Sequence, residues 1–175
     1  MNKIDLLSQL ENVKNNWILG LAAAGMLHRS DAPQLLKGGV AEFDGLTVNF
    51  DQVGALLRSP ADKQLVMEEF CKAHFRYFGY ESFERVKVYA KETSQFIKLK
   101  NWENFLFFNA IRNTLVHDFH FSVRSEDLHK LPFQWQGITI EKSMLGTPMS
   151  VSFLRYGGFY QMHQELRQFA LEKLN

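Results

Sequence analysis

Between Asn101 and Phe121 an apolar run, NWENFLFFNAIRNTLVHDFHF, is interrupted by Asn109, Arg112, Asn113 and His117. These residue types can do chemistry together. The imidazole of His117 can take or give a proton, as general base or general acid. The Arg112 guanidinium is a permanently charged fork that matches the oxygens of a phosphate. Asn113 can orient either the imidazole or a phosphate oxygen. A histidine and an arginine so placed suit proton transfer beside a bound phosphate, and no metal is required.

A helix must position them. Asn101 is a good N-cap, and Glu103 suits the positive end of the helix dipole. Phe105, Phe108, Leu115 and Phe119 recur at helical spacing, which predicts a largely buried helix over 101–121. At about 100° per residue the four polar residues fall on or near one stripe. Buried polar groups are costly unless paired. Arg112 has no acid three or four positions away, where Phe108, Asn109, Leu115 and Val116 stand. The stripe must therefore face something outside its own helix. Two roles stay open for it. Arg112 can bond backbone carbonyls or an acid on another helix while His117 satisfies the last carbonyls, or both can open onto a ligand.

Arg112-Asn113-Thr114-Leu115-Val116-His117 resembles the R-N-x-x-x-H signature of the HEPN superfamily, whose members are small helical bundles. The resemblance implies a metal-independent endoribonuclease of the toxin or phage-defence kind. It acts on RNA in the cytoplasm and leaves a 2′,3′-cyclic phosphate. Arg112, Asn113 and His117 would be catalytic, and no cofactor is implied. One helix offers one histidine, whereas the reaction gains from both a base and an acid. The family's solution is a homodimer that brings two copies of the motif into one cleft. His120 is a local alternative, although a surface histidine past the helix end is the plainer reading. Toxins of this kind paired with a nucleotidyltransferase often carry R-x-x-x-x-H-x-Y, with the Tyr as modification site. Here that position is Phe119, so control by that modification is not expected, and an antitoxin or regulatory partner would be encoded separately. The alternative function is a non-catalytic module of the same shape that binds a nucleotide, an RNA or a protein.

Composition bounds these readings. The 175 residues fit one domain over 1–175, and 46% hydrophobic content argues against disorder. The net charge of +1 gives no bulk signal for nucleic acid. From Lys72 to Lys100, however, seven Lys/Arg stand against three Asp/Glu. That excess is either a solvated helix face or a phosphate-attracting rim beside the motif helix, with Lys98, Lys100, Asn109 and His120 as RNA-binding candidates. The single cysteine, Cys71, permits no internal disulfide, which fits a reducing compartment. No cleavable leader is expected, and Ile18 to Leu27 is too short to span a bilayer.

The expected fold is mainly α: a bundle of four to five helices with two small β-hairpin-like elements. Ile4 to Leu27 reads as the first helix. Asp44-Gly45 between two apolar runs predicts a hairpin over 40–50. Ser59-Pro60 starts a second helix, with Val66, Phe70, Ala73 and Tyr77 inward and Gly79 as its stop. Ser82 then caps a third, with Val86, Tyr89, Ala90, Thr93 and Ile97 inward. A polar connector covers 122–130, and strand patterns at 133–136 and 138–141 flank Gly137. Met149 to Leu154 is a further candidate strand. The last helix runs over 159–174, with Phe159, Met162, Leu166, Phe169, Ala170 and Leu174 as its apolar stripe.

Overall fold

The computed structural model describes residues 1–175 and is mainly helical, with two small antiparallel hairpins. Its helices are α1 (Lys3–His28), α2 (Ala32–Leu36), α3 (Phe50–Leu56), α4 (Pro60–Glu92), α5 (Phe96–Lys100), α6 (Phe105–Val116) and α7 (Arg155–Lys173). The strands are β1 (Val40–Phe43), β2 (Leu46–Asn49), β3 (Phe133–Trp135) and β4 (Ile138–Ile140). Three short 3-10 turns occupy Ser125–Lys130, Lys142–Met144 and Val151–Phe153. Backbone packing groups residues 1–16 with 75–175 in one unit and 17–74 in another, with α1 and α4 contributing to both. No helix is long and apolar enough to cross a membrane.

In the smaller unit, Ala32, Leu57 and Met67 are buried among Ala24, Leu27, Leu36, Val53 and Phe70. Gly20 is required there: a Cβ would lie 2.0 Å from the His74 ring. The β1–β2 hairpin pairs Phe43 with Leu46 across Asp44 and Gly45, both at positive φ, as a two-residue turn demands. Ser59 caps α4 as expected, its Oγ accepting from the Asp62 N–H at 3.4 Å.

The larger unit holds the motif helix. Leu6, Leu10 and Val13 of α1 are buried in it, together with Phe75, Phe78, Phe83, Val86, Tyr89 and Ala90 of α4. The expected apolar stripe of α7 is buried throughout. Aromatic contacts tie the elements together: Phe75 with Phe159 (4.6 Å), Phe83 with Phe105 (5.9 Å) and Trp102 with Phe169 (4.8 Å).

Several of these elements differ from the sequence expectation. Gly79 does not stop α4, which continues to Glu92. It serves close packing instead, since a Cβ there would lie 2.5 Å from Leu115 Cδ1 and 3.3 Å from Phe159. Ser82 caps nothing. It is buried in mid-helix, and its hydroxyl shares a 2.8 Å hydrogen bond with His163 Nδ1. Ala73 and Tyr77 are exposed, and so is Ile97, which lies in α5. Met67, Phe75 and Phe78 are the buried residues in their place.

The motif helix is also shorter than 101–121. Asn101 ends α5, and Asn104 precedes α6 with its amide committed to Glu165 (2.8 Å) rather than to capping. At the other end, Asp118 and Phe119 both turn left-handed (φ 52° and 59°). Phe119 and Phe121 are both buried. On a helix they would point about 200° apart, so one face could not bury both. Leaving the helix lets the chain pair with 146–149 instead: Phe121 N–H donates to Thr147 O and Met149 N–H to Phe119 O. The segment after Met149 is then a 3-10 turn rather than a strand. The α7 helix starts four residues before Phe159, taking Gly157 and Gly158 into its first turn.

Candidate functional site

Helix α6 buries Phe105, Phe107, Phe108, Ala110, Ile111 and Leu115. Its polar residues must then find partners. Thr114 donates to Ala110 O (2.8 Å), and its oxygen accepts from the Ser122 N–H at 3.3 Å. Asn113 Oδ1 accepts from Arg112 Nη1 at 3.0 Å. Arg112 reaches α4, where its guanidinium lies over the Tyr80 ring (4.9 Å) and its Nε stands 2.7 Å from Glu84 Oε1. The Nε–H is not aligned on that oxygen, so the contact is ionic rather than a directed hydrogen bond. Tyr80 and Glu84 are one turn apart on α4, so one face of that helix supplies both an aromatic and a charged partner. The same Glu84 oxygen takes Lys87 Nζ at 2.8 Å. An acid on another helix is thus what Arg112 meets. The pair is largely buried, with side-chain exposures of 19% and 18%.

His117 is placed differently. It is the C-cap of α6, its backbone N–H donates to Asn113 O (2.9 Å), and its exposed imidazole has no hydrogen-bond partner in the chain. Five residues separate it from Arg112, which is about 7.5 Å of helical rise and roughly 140° of rotation. No hydrogen bond joins the two, so the single polar stripe expected from the sequence divides, with Arg112 turned to α4 and His117 to solvent.

The sequence reading missed one neighbour. Arg76 of α4 donates from Nε to Leu115 O (3.1 Å) and from Nη2 to Asp118 Oδ1 (2.7 Å), and it lies over the Phe119 ring. It closes the carboxyl end of α6, where unpaired carbonyls and the negative end of the dipole favour a cation. Nothing in the local sequence marks Arg76, because its partners stand about forty positions away. His120 is exposed, and its Nδ1 shares a 3.0 Å contact with Asp118 O. The carboxyl end of α6 therefore gathers His117, Asp118, His120 and Arg76.

The remaining candidates part company. Lys98 donates to Gln95 Oε1 (3.1 Å) and to Lys173 O (3.4 Å). Lys100 and Asn109 instead line one cavity at the amino end of α6.

A buried histidine outside the motif is the most perturbed titrating group. His163 of α7 is 1% exposed and stacks on Phe78 at 4.9 Å. Burial pushes its pKa down to about 4, with nearby Lys14 adding to the shift. It is a core residue, neutral at physiological pH.

Comparison with family models, curated proteins and solved structures yields no match to this chain.

Proposed function

We propose that the chain is an endoribonuclease of the HEPN type, working at the carboxyl end of α6. The observation that carries this reading is the exposed, unpartnered imidazole of His117, at the last position of the R-N-x-x-x-H pattern that opens with the bonded Arg112-Asn113 pair. An imidazole there can take the proton of a ribose 2′-hydroxyl as its oxygen attacks phosphorus. The bond to the 5′-oxygen breaks, that oxygen receives a proton, and a 2′,3′-cyclic phosphate remains. Arg112 and the neighbouring Arg76 supply guanidinium groups for the phosphate oxygens. A two-fold pair of chains supplies the second imidazole, so that one acts as base and the other as acid.

A specific observation favours the second reading, a module that binds RNA or another partner without cleaving it. Glu84 already neutralises Arg112, and a substrate phosphate would have to compete with that carboxylate. Incubating a labelled RNA with the protein in EDTA separates the two. Cleavage to a cyclic phosphate is expected, with a loss on the order of 10²–10⁴ in rate for His117→Ala and for His117→Gln. Binding without turnover, unchanged in His117→Gln but lost in Arg112→Ala, would establish the second reading. Cleavage retained in both His117 variants would exclude the first.

A further inference from the structure

The amino end of α6 opens on a cavity of about 300 Å³. Its walls come from the end of α5 (Lys100, Asn101), the start of α6 (Phe105, Leu106, Asn109) and the 3-10 turn 125–130 with the residue before it. We propose that this cavity binds a phosphate monoester group.

Three independent observations converge on it. The first is Asn109. It is 5% exposed, lines the cavity, and its side-chain amide makes no hydrogen bond within the chain. Its amide atoms still reach solvent, so the free carboxamide is available to a ligand in the cavity. The second is charge. Lys100 lies over the Phe96 ring (5.4 Å) and forms no ion pair. Arg124 reaches Glu126 only at 3.6 Å, with both side chains exposed. Lys130, by contrast, is matched by the buried Asp127 at 2.8 Å. The lining thus sets three cations, Lys100, Arg124 and Lys130, against two carboxylates, Glu126 and Asp127, and Lys100 is the cation left without an ion-pair partner. The third is the helix end itself. The Asn104 side chain bonds Glu165 and leaves the first turn of α6 without a side-chain cap. The Phe105 N–H is taken by Trp102 O and the Phe108 N–H by Asn104 O, which leaves the N–H of Leu106, a lining residue, and the positive end of a twelve-residue helix beside the same space.

A dianion with several acceptor oxygens uses all three features at once. Lys100 and Arg124 take its charge, and the Leu106 N–H and the Asn109 amide donate to its oxygens. Phe105 and Leu106 form an apolar wall for the organic part of the ester. The phosphate could belong to a small ester or to the 5′ end of an RNA strand, and the chemistry is shared. The site stands one to two turns before Arg112 and does not depend on cleavage at His117.

Calorimetric titration of the full chain tests the proposal, using inorganic phosphate, ribose 5-phosphate, ribose and acetate at matched ionic strength. Saturable binding of the two phosphates is expected, with none for ribose. Lys100→Gln should weaken it about tenfold, Asn109→Asp should abolish it, and Lys142→Gln, a surface cation outside the cavity, should leave it unchanged. Circular dichroism of Lys100→Gln, a surface change, confirms that weakening is not unfolding. Oligonucleotides with 5′-phosphate and 5′-hydroxyl ends then identify the source: a preference for the phosphorylated RNA over ribose 5-phosphate assigns the strand end, and the reverse assigns a small ester. Absence of saturable phosphate binding overturns the proposal, as does equal affinity in Lys100→Gln and wild type, or acetate binding as tightly as phosphate.

Discussion

Replacing His163 by Gln should remove a definite share of the acid sensitivity of this protein. The imidazole is buried against Phe78, bonded to Ser82, and surrounded by the charges of Lys14, Arg167 and Glu11. Its pKa is about 4 in the folded chain, against an ordinary 6.5. The unfolded chain therefore takes up a proton between those values while the folded chain does not, and stability falls as pH drops through that window. The contribution is fully present above pH 6.5 and fully lost below pH 4. At 1.36 kcal/mol per pH unit the whole loss is about 3 kcal/mol, of which about 2 kcal/mol has gone by pH 5. With a urea dependence of roughly 2 kcal/mol per molar, the unfolding midpoint should drop by about 1 M between pH 7.5 and pH 5. His163→Gln keeps a hydrogen-bonding group beside Ser82 but cannot titrate, so its midpoint should fall by that much less. Exposed carboxylates titrate in both proteins and cancel in the difference. An equal drop in the two would refute the assignment of the acid sensitivity to His163.

Three further outcomes follow from the packing. Glu84→Gln strips a largely buried guanidinium of its ion-pair partner and should cost about 1–3 kcal/mol. The double variant with Arg112→Met should regain most of that, and a strictly additive double-mutant cycle would show that the pair is not coupled. Gly79→Ala gains up to about 1 kcal/mol in helix propensity but drives a methyl into Leu115 and Phe159, both fully buried. A net loss of about 1 kcal/mol should appear as a melting temperature about 3 °C lower, and a rise would mean that the contact yields freely. Glu165 accepts from Asn104 Nδ2, Trp135 Nε1 and Gln136 Nε2. Glu165→Ala should cost about 2 kcal/mol by orphaning the buried indole N–H, and urea unfolding within 0.5 kcal/mol of wild type would contradict it.

The sequence by itself determined the elements whose signals are local. The apolar stripe of α7, the Asp44-Gly45 turn and the Ser59-Pro60 start were all legible, because each rests on side chains within a few positions of one another. So was the conclusion that Arg112 must find its partner beyond its own helix, since no acid stood within a turn of it. Only the tertiary structure decided which partner. Glu84 and Tyr80 precede Arg112 by 28 and 32 positions in the chain, and no periodicity within α6 could select them. Gly79 reads locally as a stop, yet it stands in mid-helix, where the close approach of Leu115 and Phe159 leaves no room for a Cβ. The motif helix reads as continuing to Phe121, yet it ends at Val116, since burying Phe119 and Phe121 together outweighs one more turn of helix. The same logic separates Lys100 from Lys98: two residues apart on a five-residue helix, they point to different neighbours, and only packing shows which one an unpartnered Asn109 would share.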